Sequence, residues 1–103
     1  MNQEVLYQIN RSGRIGHIKS IPLALRNIYA TALEITPTGH LEMGAVIQHA
    51  VDESISKTIN MPESSTPMDI VNVYTSAYRK GLKGITVFRA NSKTYQPRKL
   101  AEL

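Results

Sequence analysis

The chain alternates between stretches with helical spacing of apolar residues and short runs with strand character. Val5, Leu6 and Ile9 share a helical face between Asn2 and about Ser12, and Gly13 and Gly16 break the pattern. A second helix is predicted from Pro22, with Ser20 as a possible cap. Its stripe is Leu25, Ile28, Ala32 and Ile35, widened by Leu23, Tyr29 and Leu33, and it ends at Pro37. Thr36 and Pro37 are in turn the signature of a third helix. Its apolar residues, from Leu41 through Met43, Ala45, Val46 and Ile47 to Ala50 and Val51, surround much of the axis, which predicts burial on several sides. Gly39 and Gly44 weaken that helix in isolation by about 1 kcal/mol each.

Ile55, Thr58 and Ile59 favour an extended path closed by Pro62. Thr66, Pro67 and Asp69 then open a fourth helix whose face is Ile70, Val73, Tyr74, Ala77 and Tyr78, with Arg79 and Lys80 in its last turn and Gly81 as its stop. Gly84 to Arg89 reads as a short, largely buried strand. Strand, amphipathic helix and strand in that order outline a βαβ crossover. One such unit cannot cover both faces of a parallel sheet, so its strands want neighbours. The predicted class is therefore α/β and helix-rich. Residues 1–20 form an N-terminal helix and Gly-containing loop, 21–92 the helical and βαβ region, and 93–103 a basic tail.

At 103 residues the chain has room for one domain or a piece of a larger one. A hydrophobic fraction of 42% and a charged fraction of 19% are those of an ordinary globular protein. No apolar run reaches membrane-spanning length, and the acidic N-terminus lacks a signal-peptide pattern, so a soluble, cytoplasmic protein without membrane partners is expected. Cysteine is absent, which excludes disulfides, thiolate metal sites and any cysteine nucleophile or thiyl radical on this chain. His17, His40 and His49 have no local zinc spacing, so no metal site is expected.

The net charge of +4 is concentrated after Arg79, where Lys80, Lys83, Arg89, Lys93, Arg98 and Lys99 face a single acid, Glu102. A basic end could meet phosphate, nucleic acid or an acidic surface, but it is more simply a solvated helix end and a frayed tail. It also lacks the interleaved aromatics of a single-strand binding platform. The Thr36-Pro37 junction between two helices loosely suggests a helix-turn-helix. The would-be recognition helix, however, carries Glu42 and no Arg or Lys to read bases, which disfavours nucleic acid as a partner.

Several blocks carry a family resemblance. Ala32-Leu33-Glu34-Ile35-Thr36-Pro37 is followed by His40-Leu41-Glu42-Met43, Val51-Asp52 and Ser56-Lys57-Thr58-Ile59-Asn60-Met61-Pro62. After a variable turn come Asp69-Ile70, Tyr74, Ala77 and Tyr78, then Gly81-Leu82-Lys83-Gly84-Ile85-Thr86-Val87-Phe88-Arg89. In this order the blocks resemble the C-terminal portion of the adenosylcobalamin-dependent (class II) ribonucleotide reductase catalytic subunit. Gly13 and Ile21-Pro22 look like the family's approach to the region, and a tyrosine is common where Phe88 stands. The chain departs from the pattern at Glu42 and Gly44, where basic or other polar residues are usual, and at Ala90-Asn91, which replaces a common Asp-Gly turn.

The resemblance implies that the extended segments are closing strands of the ten-stranded reductase α/β barrel. Ser56, Thr58, Ile59, Asn60, Gly84, Ile85 and Phe88 would be its structural motif. It implies ribonucleotide-to-deoxyribonucleotide reduction, an oxidoreductase step in DNA precursor synthesis, at the diphosphate or triphosphate level. Adenosylcobalamin generates the radical in the complete enzyme, and cysteines, an asparagine and a glutamate act on the ribose. No cysteine is present here, so the expectation is a fragment or split piece, not catalytic alone and binding no cofactor alone. Its partner would be the remainder of a reductase or another copy of itself. The alternative is a freestanding, reductase-derived interaction or regulatory module.

Two residues are weak substrate-binding candidates. Lys57 lies among Ser56, Thr58 and Asn60, where an ammonium suits an anion, although a strand-end hydrogen-bond network explains it more plainly. Arg89 could contact phosphate or carboxylate, or form an ion pair with Asp52 or Glu53. His40 is expected to pack its helix, His49 to sit on a helix C-terminus, and Tyr74 and Tyr78 to pack in a core rather than relay a radical. Asp52, Ser54 and Ser56 form no triad, because strand-local spacing puts no base beside a hydroxyl.

Overall fold

The computed structural model describes residues 2–93, so the basic tail lies outside the described residues apart from Lys93. Among the described residues, those up to Glu34 form one unit and Ile35 to Lys93 another.

In the first unit, α1 (Gln3–Ser12) is capped by the Asn2 side chain on the Glu4 N–H. It stops at Gly13, which donates its N–H to the Ile9 carbonyl and turns the chain away with a left-handed φ of 65°. The second helix, α2, is shorter than its apolar stripe predicts. It spans Leu23–Ile28 and does not continue to Ile35. Ser20 does not cap it either; Pro22 occupies that position with no side-chain cap bond.

A local turn competes with the helix beyond Tyr29. The Glu34 carboxylate accepts the Thr31 N–H and the Thr31 hydroxyl, both at 2.9 Å. The Thr31 N–H does most to hold the Glu34 carboxyl below its usual range, and burial opposes it. Arg26 donates to the carbonyls of Gly16 and Ile21 and ties the preceding loop to α2.

The second unit runs α3 (Pro37–His49), β1 (Thr58–Met61), α4 (Pro67–Arg79) and β2 (Thr86–Arg89). Thr36 caps α3, its hydroxyl accepting the Gly39 N–H at 3.1 Å with Pro37 at the first helical position. Replacing Thr36 by alanine should cost about 1 kcal/mol, read as a shift in urea midpoint. An unchanged midpoint would mean that water serves that donor equally well.

α4 begins with a reciprocal capping box. Thr66 accepts the Asp69 N–H, and the Asp69 carboxylate accepts the Thr66 N–H at 2.7 Å. Its far end is a Schellman turn, with Leu82 N–H on Ala77 O, Gly81 N–H on Tyr78 O, and Gly81 at a φ of 76°.

The Thr66 backbone N–H, and then its hydroxyl, depress the Asp69 pKa below the usual 3.8. A depressed carboxylate contributes stability above its unfolded pKa and loses it as pH falls through the folded value. Melts of wild type and Asp69→Asn should therefore differ at neutral pH and converge under acid, below about pH 4. Parallel curves would disprove this.

β1 and β2 pair in parallel in register Thr58↔Thr86 to Met61↔Arg89, and α4 is the crossover that parallel pairing requires. The predicted βαβ unit is thus present. Ile59 and Met61 point to one face of β1 and join Leu41, Val73, Ala77 and Leu82 in the core. Ala45, Ile55, Ile70, Ile85 and Val87 pack against that cluster.

Three expectations of burial do not hold in this unit. β2 is half-buried rather than largely buried. α3 buries one face, His40, Leu41, Gly44 and Gln48, and leaves Met43 at 61% and Val46 at 69% exposure. Tyr74 and Tyr78 are exposed, Tyr78 at 84%, and are not core residues of the unit. In each case the periodicity identified an apolar face correctly, but the unit has one core, and a second apolar face finds no neighbour inside it.

Candidate functional site

Lys57 precedes β1, and its carbonyl accepts the Thr86 N–H at 2.9 Å, opening the strand ladder. Its Nζ lies 3.1 Å from Nδ1 of His40, which is 4% exposed in the first turn of α3. An ammonium has no lone pair, so it donates here and the imidazole nitrogen accepts. The Lys57 stem also passes Gly44, where an added Cβ would stand 3.5 Å from the Lys57 Cγ and 3.3 Å from the Leu82 Cδ2. Gly44 thereby gives α3 a close approach to both side chains.

Around Lys57, Ser56 is exposed, Thr58 half-buried, and Ile59 and Asn60 buried. Gly84 passes Ser54, Ile85 rests against the core, and Phe88 is half-buried opposite Asn60. Among the described residues, no buried side-chain polar atom lacks a hydrogen-bond partner.

Arg89 sits at the other end of the ladder. It makes no ion pair with Asp52 or Glu53, contrary to the sequence expectation. Its guanidinium donates to the Glu63 carbonyl at 2.8 Å, and Asn91 donates to the Glu63 carboxylate at 2.8 Å. Asn91 takes a left-handed φ of 56°, which an asparagine tolerates where the usual glycine is missing. The reason for the difference is position: Asp52 and Glu53 belong to the loop before β1, whereas Arg89 lies at the carboxyl end of the strands, beside the turn that follows β1. That loop meets the other end of the crossover, where Lys83 donates to the Asp52 carbonyl.

The two cationic candidates therefore do not converge. Four strand residues at about 3.3 Å each separate Lys57 from Arg89, too far for one phosphate to bridge.

His49 lies in the last turn of α3, as the helix dipole favours. It borders an open groove of about 450 Å³ with Glu42, Ala45, Val46, Arg79, Lys80 and Gly81. Glu42, the charge-reversed position, pairs there with Lys80 at 3.9 Å.

Gln48 was not singled out by the sequence, yet it organises the loop before β1. Its amide donates to Val51 O and Glu53 O and accepts the Ile55 N–H. The available signal was an uncharged polar residue inside an apolar helix.

Among the described residues, no three His, Cys, Asp or Glu side chains gather as a metal site. His40 faces Lys57, and the groove at His49 is bordered by Arg79 and Lys80. No helix among them is long and apolar enough to cross a membrane.

Comparison with known proteins decides the family. The model of the ribonucleotide reductase barrel domain matches residues 1–88. The chain belongs to the ribonucleotide reductase barrel-domain family. It is 36% identical over 93 residues to the vitamin B12-dependent ribonucleoside-diphosphate reductase of Mycobacterium tuberculosis (strain CDC 1551 / Oshkosh), covering 90% of this chain and 13% of that protein. It is 39% identical over 95 residues to the enzyme of the same description from Thermoplasma acidophilum, covering 92% and 12%.

The class Id ribonucleotide reductase alpha subunit of Actinobacillus ureae superposes with a TM-score of 0.77 at 21% identity. That match covers 87% of this chain and 18% of the subunit, and it supports the reductase barrel fold. The chain spans about an eighth of the length of these curated relatives.

Proposed function

We propose that this chain supplies the closing strand–helix–strand segment of a class II ribonucleotide reductase barrel, and that reduction of a ribonucleotide requires the rest of such a subunit. The observation that carries the reading is the parallel β1–α4–β2 unit inside a family match covering residues 1–88, with apolar residues left on its outer faces. Met43, Val46, Ile47, Val71, Tyr74 and Tyr78 are exposed in the unit itself. Removing such surface from water contributes about 25 cal/mol per Å², a strong drive toward a covering partner.

The absence of cysteine supports the division of labour. A thiyl radical and a reducing dithiol both need cysteine thiols, and this chain has none, so the chain contributes structure. Adenosylcobalamin and most of the nucleotide contacts belong on the remainder. Lys57 is held by His40 and Arg89 by Glu63, so each fixes one end of the strand pair in this reading.

The test is complementation. A reductase catalytic subunit truncated before this segment is mixed with the chain, and deoxyribonucleotide formation is measured with adenosylcobalamin and a dithiol present. Activity that appears on mixing and saturates with chain concentration is expected. Inhibition of an intact reductase, without rescue of the truncated one, would overturn the proposal and favour a regulatory module.

A further inference from the structure

We draw no further inference here: the strongest candidate, the open groove between the last turns of α3 and α4 bordered by Glu42, His49, Arg79 and Lys80, carries nothing because Lys80 already pairs with Glu42 and nothing in the structure shows what covers it.

Discussion

Replacing Ile59 by alanine should remove about 4 kcal/mol of stability, the largest effect expected of a single substitution in this chain. Ile59 is fully buried, at 0% exposure, where β1 packs against α3, and it shares the core cluster with Val73 and Ala77 of α4. Alanine would lose the transfer energy of the deleted carbons and leave a cavity that a strand held in register with β2 cannot close. Since small domains are stable by only about 5–15 kcal/mol, the variant should lose a large share of its stability, and nearly all of it at the low end of that range. Ile59→Val keeps the effect measurable, because it should shift the urea midpoint by the equivalent of about 1 kcal/mol at unchanged slope. A valine variant as stable as wild type, with an alanine variant that also folds, would refute the placement of Ile59 at the centre of the core. Val46→Ala is the natural comparison. Val46 is exposed in the unit, so its truncation should barely move the melt yet weaken complementation.

Gln48→Leu should cost about 2–4 kcal/mol, although leucine is more apolar and fits a helix well. The gain in apolar burial does not offset the loss of three hydrogen bonds to the loop before β1. The Glu53 carbonyl and the Ile55 N–H would lose their partners, and each group left unsatisfied away from water costs about 1–3 kcal/mol. Gln48→Glu separates the contributions. A carboxylate still accepts the Ile55 N–H but faces two carbonyl oxygens, so it should destabilise at neutral pH and recover partly in acid. Amide exchange at Ile55 is the direct readout: fast exchange is expected in the leucine variant and partial protection in the glutamate variant. Unchanged protection in both would show that Gln48 does not hold the loop.

What was legible in the sequence was mostly local. Thr36-Pro37 and Thr66-Pro67 with Asp69 announce helix starts because a cap needs residues within one turn, and Gly13 and Gly81 announce stops for the same reason. The β1–α4–β2 unit was legible because β-branched runs flank an amphipathic helix. The family was legible in the blocks around Ser56 to Pro62 and Gly81 to Arg89.

The rest depended on partners distant in sequence. The early end of α2 is set by a side-chain bond from Glu34 back to Thr31 that apolar spacing does not register. The exposure of Tyr78 and Met43 depends on how many neighbours the unit possesses, which no helical wheel reports. Arg89 could not be assigned to Glu63 rather than Asp52 until the strand direction fixed which loop lies at which end. Gln48 was missed because its partners lie in an irregular loop with no pattern to predict.

The parallel pairing of β1 with β2 also sets an order of events during synthesis. β1 is complete a whole helix before its partner strand has been made, whereas antiparallel neighbours emerge almost together. Until Arg89 leaves the ribosome, Ile59 and Met61 belong to a strand without its β2 ladder, adjacent in time to the apolar face of α3. A ribosome that stalls between Met61 and Thr86 therefore holds out a sticky, half-made sheet. Chaperone occupancy of nascent chains should peak in that interval and fall once β2 has been translated.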